Sequence, residues 1–399
     1  MKLLVIGAGM MGSAAAYDMA RAEQVESVTL ADSDGRKAKA AAARVNKLAS
    51  GKKVRAVVFD ARKPAAAKKL MRGHDGVLSA IPYFFNLGLC KAAIEAGCHF
   101  ADLGGNNTVV KQEYALSKQA EKKGVGIAPD CGLSPGMASI MAGELMRKAG
   151  GKADALKIYV GGLPRNPKPP FYYQLVFSVE GLINEYVEPA KVLRGGKITY
   201  LEPLTEPEDF EIRGLPRLIA FHTSGGTSTL PETFQGKVGE CFEKTLRYPI
   251  HFAMVRLLYD LGLFSSAKRK VGKATIAPRE LTAQILSEKF AGNDPDICIL
   301  RVEAHAQGSV YSYSLFDDYD PSTKMSAMMR TTAWPASIVL QMMCSGKIAK
   351  RGGIYQESDV PTPEFVAEMQ RRGVSLSYSE ESAKLSETGK IQAYVSGRG

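Results

Sequence analysis

A chain of 399 residues is long enough for two or three domains, each with its own core. Its 45% apolar and 23% charged residues are the balance of a soluble globular protein rather than a disordered or fibrous one. No run of about eighteen apolar residues offers a membrane span. A net charge of +11 invites a nucleic-acid reading. Lys and Arg are dispersed, however, with short runs only at Lys52-Lys53, Lys122-Lys123, Lys268-Arg269-Lys270 and Arg371-Arg372. No nucleic-acid partner is therefore expected, only a mild attraction of anionic ligands.

Leu3 to Ile6 suits a strand buried on both faces. Gly7, Gly9 and Gly12 then give G-x-G-x-x-G, followed by the helix former Ser-Ala-Ala-Ala-Tyr-Asp-Met-Ala. Gly7 allows the tight turn, Gly9 lets backbone approach a pyrophosphate, and Gly12 lets helix and strand pack closely. Met10 and Met11 open the helix, whose free N–H groups and positive dipole end favour phosphates. Val28 to Asp32 reads as a second strand, and Asp32 lies twenty residues beyond Gly12. An acid there bonds the ribose of NAD and repels the 2′-phosphate of NADP, although Arg36 and Lys37 follow closely. NAD is the expected cofactor. Lys2, the apolar run and the small residues at 13 to 16 could pass for a signal peptide. Removing them would destroy the first strand, so a retained N-terminus and a cytoplasmic protein are expected.

Strands are expected at 54–60, 76–80, 98–103 and 125–130, with helices over 35–50, 64–72, 86–97 and 111–123. Six strands alternating with helices make a doubly wound, Rossmann-type parallel sheet of order 3-2-1-4-5-6, an α/β domain over residues 1–132. Ligands of such sheets sit outside the carboxyl ends of the strands. Ser33, Asp60, Ala80, Ile81, Pro82, Gly104 and Gly132 therefore join the nucleotide candidates. Tyr83, Asp102 and Asp130 stand at the same ends as candidates for the substrate and its chemistry.

Beyond Ser134-Pro135-Gly136 the pattern changes. Met137 to Gly150 reads as a helix, 155–162 as a strand, Arg165 to Pro170 as a loop and Gly195-Gly196 as a hairpin turn. Further strands at 298–305 and 309–315 complete a second, mostly antiparallel α+β domain over 133–330. Lys268 to Ala277 has no assignable pattern. Helices at 334–343 and 363–372 are expected to pack back on the first domain, which would then include 331–399, and the residues after about Ser379 to be solvated. Six scattered cysteines without C-x-x-C and five histidines without paired spacing signal neither a disulfide framework nor a metal.

Ile6 to Gly12, Ser79-Ala80-Ile81-Pro82, Ala101 to Gly105 and Pro129 to Gly136 resemble the saccharopine dehydrogenase family over nearly the whole chain. Val160 to Pro164, Phe177 to Tyr186, Ala220 to Pro231 and Thr245 to His251 are similar to its L-lysine 6-dehydrogenases. The resemblance implies NAD-dependent oxidative deamination of the lysine ε-amine to allysine, which cyclises to a piperideine carboxylate, in a homodimer or homotetramer. Saccharopine-forming members, which use glutamate and usually NADP, are the alternative; Asp32 and the Glu180-Gly181 segment depart from them. A non-catalytic NAD-binding sensor is a second alternative.

That chemistry sets three tasks: hold the α-carboxylate, hold the α-ammonium and remove a proton from the ε-ammonium. Arg247 is the carboxylate fork, since a guanidinium matches a carboxylate bidentately. Glu180, beside Gly181, is preferred to Glu185 for the ammonium, with Asp102 and Asp130 as alternative amine partners. His251 and His222 are the histidines with acidity suited to the proton, and Asp130 is kept with them as a catalytic candidate. Thr223, Ser224 and Thr227 are candidates to hydrogen-bond the substrate or the hydrolytic water.

Overall fold

Four consecutive apolar residues need cover on both faces, and Leu3, Leu4, Val5 and Ile6 are all buried, at most 2% exposed. They lie in β1 (Lys2–Ile6), which pairs in parallel with β2 (Ser27–Asp32) on one side and β4 (Gly76–Ser79) on the other. With β3 (Val54–Val58), β5 (His99–Asp102) and β6 (Gly126–Ala128) the order is 3-2-1-4-5-6, all parallel. A seventh parallel strand, Gly352–Gly353, is added beside β6 from late in the chain. The computed structural model describes residues 1–292 and 294–382, which divide into two units.

The first unit comprises residues 1–144, 321–325 and 329–374. The helices of its last section are fixed by charge. Asp18, on helix α1 (Met10–Arg21), is 4% exposed and accepts from Arg372 Nε at 2.5 Å and Nη2 at 3.1 Å. Arg372 also donates to Glu368 Oε2 at 2.6 Å, and Gln341 Nε2 reaches Asp18 at 3.3 Å. The C-terminal section is thereby held against the first helix of the chain.

The second unit is built on a nine-stranded mixed sheet. Its strands are β7 (Ala153–Pro164), β8 (Ala190–Arg194), β9 (Lys197–Leu201), β10 (Glu208–Phe210), β11 (Leu218–His222) and β12 (Val238–Arg247). An exposed hairpin, β13 (Arg269–Val271) with β14 (Ala274–Ile276), stands apart from the sheet. β15 (Asp296–Ala306), β16 (Ser309–Asp318) and the strand Leu376–Ser382 complete the sheet. The order is β10-β11-β12-β7-β15-β16-(376–382), with β8 on β12 and β9 on β8. Only β12 and β7 run parallel among these pairs. Gly195 and Gly196, both at positive φ, make the two-residue turn between β8 and β9.

The structure divides the chain differently from the sequence reading in two places. Residues 133–144, the start of the helix Met137–Lys148, stay with the first unit. There Gly143 packs on the Glu357 backbone, where a Cβ would stand 1.8 Å from the carbonyl oxygen. Leu376 to Ser382, read as part of the tail of the first domain with a solvated end, instead pair with β16, seven residues in register from Leu315↔Leu376 to Ser309↔Ser382. The solvated end expected beyond Ser382 lies outside the described residues. Lys268 to Ala277 resisted assignment because its hairpin buries neither face, so no alternation is imposed on it.

Arg372→Met should cost about 3–5 kcal/mol of unfolding free energy, because it leaves the Asp18 carboxylate buried without its cation. Denaturant unfolding measures it, and a loss within 1 kcal/mol, roughly what an exposed pair is worth, would show the pair is not holding the tail.

Candidate functional site

The turn from β1 into α1 has the geometry a dinucleotide requires. Gly7 has φ +104, and a Cβ there would stand 2.5 Å from the Ala80 carbonyl oxygen. A Cβ on Gly12 would stand 1.8 Å from the Gly7 carbonyl oxygen, so helix and turn touch through backbone alone. Gly9 is different: a Cβ there would meet nothing within 4 Å, leaving its face open to a ligand. Gly9 is also the N-cap of α1, with no side chain capping the first turn at Met10 and Met11, so that the helix end can receive an anion. Asp32 accepts from Ala8 N–H at 2.8 Å through Oδ2 and from Asp34 N–H at 2.9 Å through Oδ1. Lys37 Nζ lies 3.9 Å from the same carboxylate, and Ser33 beside it is exposed. Asp60 is tied by its own loop, accepting from Arg62 Nε at 2.8 Å and Nη2 at 2.9 Å, which holds its carboxyl below the usual range. These residues fit a dinucleotide's pyrophosphate and ribose.

The loops after β4, β5 and β6 line the same carboxyl ends. Ala80, Ile81 and Pro82 lead into a turn of 3₁₀ helix at Tyr83–Phe85, and the Tyr83 side chain packs where Gly105 has no Cβ. Asp102 is fully buried, and its Oδ1 accepts from Gly104 N–H at 2.6 Å and Asp130 N–H at 3.2 Å. Its Oδ2 and both oxygens of buried Glu113 find no donor among the described residues. Burial, then the Asp102 charge, drives the Glu113 carboxyl far up, so Glu113 keeps its proton. Asp130 sits at φ +60, and its Oδ1 occupies the space a Cβ at Gly104 would need. Gly132 is buried, accepting Met137 N–H at 2.9 Å through its carbonyl.

In the second unit one face of β12 carries Glu243, Thr245 and Arg247 at alternate positions, as a strand requires. Arg247, 3% exposed, donates from Nε to Tyr186 Oη at 3.1 Å, from Nη1 to the Leu246 carbonyl at 3.0 Å and from Nη2 to Glu185 Oε2 at 3.4 Å. Its guanidinium lies 5.0 Å from the Tyr173 ring centroid. Tyr186 and His251 Nε2 are 3.0 Å apart, and His251 Nδ1 faces the Phe171 carbonyl at 3.1 Å. With Nδ1 donating and Nε2 accepting, the chain Arg247–Tyr186–His251 is consistently polarised. Burial, then the Arg247 charge, pushes His251 down to about 3, so it stays neutral. Glu243 is buried, its Oε2 at 3.0 Å from Thr223 Oγ1 and its Oε1 at 3.0 Å from Thr245 Oγ1. Burial, then Glu185, raises it to about 8, and burial raises Glu185 to about 7 against the pull of Arg247.

The cluster gathers Arg247, Thr223 and His251, but through different roles. His251 has both nitrogens engaged behind Arg247. His222 is buried with Nδ1 3.3 Å from the Glu243 carbonyl and Nε2 3.2 Å from Glu206 Oε2, and burial lowers its proton affinity. Thr227 donates to the Lys191 carbonyl at 2.8 Å. Ser224 Oγ is buried with no partner among the described residues. Glu180, at 57% exposure, pairs with Arg279 Nη2 at 3.0 Å instead, and it is Glu185 that stands beside Arg247. Five residues along a helix turn the side chain by roughly 140°, so the two glutamates of helix Val179–Val187 cannot share a face. The sequence reading missed Glu243 and Glu113. Glu243 lies four residues before Arg247, and strand periodicity would have placed both on one face.

Two family models match the chain: the saccharopine dehydrogenase NADP binding domain over residues 3–127 and the saccharopine dehydrogenase C-terminal domain over 132–374. The saccharopine dehydrogenase [NADP(+), L-glutamate-forming] of Saccharomyces cerevisiae is 25% identical over 252 residues, 60% of this chain and 55% of that protein. The chain thus spans about half the length of the curated saccharopine dehydrogenases it matches. Carboxyaminopropylagmatine dehydrogenase of Synechocystis is 21% identical over 94% of this chain and 96% of its own. Among solved structures, the apo saccharopine dehydrogenase (L-Glu forming) of Saccharomyces cerevisiae shares the fold, with TM-score 0.77 at 19% identity over 96% of this chain and 100% of that one.

Two outcomes test these geometries. Gly9→Val should keep the melting temperature and weaken NADH binding at least tenfold in a fluorescence titration, since its side chain has room but occupies the approach to the phosphates; Gly12→Ala should lose stability. Equal NADH affinity in Gly9→Val would remove the phosphate assignment. For Glu243, a folded-state pKa above the unfolded value means stability present at low pH and lost as pH rises through about 8. Glu243→Gln, which cannot ionise, should therefore gain stability relative to the parent between about pH 5 and about pH 8.5. Parallel melting curves across that range would show that Glu243 is not raised.

Proposed function

We propose a function from one premise: the chain belongs to the saccharopine dehydrogenase family. The proposed reaction is oxidative deamination of the L-lysine ε-amine with NAD, giving allysine, which cyclises to 1-piperideine-6-carboxylate. The charge balance of the buried cluster in the second unit carries this reading. Two carboxyls, Glu185 and Glu243, and one guanidinium, Arg247, complement the two ammoniums and one carboxylate of a diamino acid. Saccharopine would bring three carboxylates to the same single guanidinium, an expensive desolvation.

Gly7, Gly9, Met10, Met11, Gly12 and Asp32 would hold the dinucleotide, which supplies the hydride acceptor when bound. Arg247 would take the substrate carboxylate, oriented through Tyr186 and His251, and Glu185 the α-ammonium. A cytoplasmic homodimer or homotetramer belongs to the same reading. The names of the curated saccharopine dehydrogenases favour a second one: oxidation of a secondary amine of the saccharopine type, with NADP.

Absorbance at the NADH band, with NAD and a panel of diamino acids, separates them. NADH should form from lysine whether or not glutamate is present. Ornithine, one methylene shorter, should fall 10–200-fold in kcat/KM, the scale of about 1–3 kcal/mol per methylene. Silence with lysine, together with NADPH consumption from aminoadipate semialdehyde only when glutamate is added, would establish the second reading. NADH binding with no turnover of any amine would leave a nucleotide sensor.

A further inference from the structure

The amine-dehydrogenase reading leaves open which group receives the ammonium proton, and the surroundings of Glu243 address it. Its carboxyl lies beneath the loop Thr223–Thr227: a Cβ on Gly226 would fall 2.4 Å from Glu243 Cγ, so only glycine lets the loop close there. Glu243 Oε2 and Thr223 Oγ1 are 3.0 Å apart, Glu243 Oε1 and Thr245 Oγ1 are 3.0 Å apart, and the two hydroxyls are 2.7 Å from each other. Three contacts close a ring, and each needs one proton. The two threonines supply two. With an ionised Glu243, one of the contacts would set acceptor against acceptor; with a protonated one, three donors meet three acceptors. Glu185 faces the group from helix Val179–Val187 and favours the proton, while Arg247 on the same strand opposes it. From β11, His222 meets only its backbone carbonyl. In the same loop Ser224 Oγ is buried and unpartnered among the described residues, a polar atom left for a ligand.

We infer that Glu243 and the substrate's ε-amine share a single proton, and that Glu243 is the group that takes it from the ammonium. The proton Glu243 holds at rest leaves to solvent as the cationic amine enters. The ammonium N–H bond then breaks, its electron pair stays on nitrogen, and the proton joins a Glu243 oxygen and restores the ring. The neutral amine now has the lone pair that hydride loss from the neighbouring carbon requires. Binding of one amine therefore releases one proton wherever Glu243 starts protonated.

Titration calorimetry of L-lysine into the full chain saturated with NADH, in two buffers of different ionisation enthalpy, counts that proton. At about pH 6.5 the parent should release about one proton more than Glu243→Gln, and at about pH 9 the two should release equally, the two pH values lying either side of Glu243's raised value. Glu243→Gln completes the ring with its own amide and should fold and bind, releasing at about pH 6.5 only the proton that Glu185, itself raised to about 7, gives up on pairing with the α-ammonium. Its kcat should fall about 10²–10⁴-fold and lose the parent's rise with pH. Undiminished release in Glu243→Gln, or loss of release in Glu185→Gln alone, overturns the inference and leaves the amine reading standing. A parent that binds no amine removes both.

Discussion

A charge taken out of water must find a partner or give up its charge, and the buried polar groups of this chain separate according to which they do. Asp18 takes the first course, forked by Arg372, and it is a fastening between the start and the end of the first unit. Glu113 takes the second, keeping its proton in the neighbourhood of Asp102, whose Oδ1 gathers the Gly104 and Asp130 amides. Glu243 also takes the second, through two threonine hydroxyls. A guanidinium pair is indifferent to pH in the neutral range. A carboxyl held up by burial sits close to giving its proton away, which suits proton transfer rather than fastening.

The same reasoning reassigns the histidines. A free imidazole titrates near neutrality, which is why His251 and His222 invite a catalytic role from sequence. In the fold His251 is packed against Phe171 and Tyr173 with a cation two hydrogen bonds away through Tyr186. Desolvation and that cation keep it neutral. What it contributes is direction: it accepts from Tyr186, which leaves the tyrosine oxygen to accept from Arg247. The Arg247 guanidinium is thus aimed by a residue two hydrogen bonds away from it.

The first unit was legible because its determinants are local. The glycine spacing, the apolar run before it and the acid twenty residues on are read within about thirty residues, and the doubly wound order follows from alternation alone. The strand Gly352–Gly353 was not legible, since two glycines carry no pattern and their pairing with β6 is set by tertiary packing. The last strand was hidden for a related reason. Leu376 to Ser382 has one buried residue, Leu376, followed by mostly exposed ones at a sheet edge, and such a strand looks solvated. In the second unit Arg247 and, as second choice, Glu185 stood among the sequence candidates, but Glu243 did not. Glu185 and Glu243 come from a helix and a strand far apart in sequence, and preferring Glu180 for its neighbour Gly181 overlooked that the two glutamates of that helix face different ways.

Cofactor preference turns on what Asp32 has left to offer. Ala8 N–H and Asp34 N–H each take one of its oxygens, so the carboxylate is anchored to the glycine loop as well as placed for a ribose. An anchored carboxylate cannot swing aside, and a 2′-phosphate beside it would meet a fixed negative charge. The family model names NADP, and accepting that phosphate would require cations to outweigh Asp32. Arg36 and Lys37 are both exposed on the first turn of the helix Gly35–Leu48, where Asp34 caps their N–H groups. Lys37 already leans on Asp32 at 3.9 Å, which lowers the repulsion without removing it. Arg62, the next cation along the strand ends, is spent on Asp60. One of the three nearby cations is thus paired and another partly so, and under the NAD-dependent reading proposed above Arg36 is the residue whose charge would have to decide for NADP.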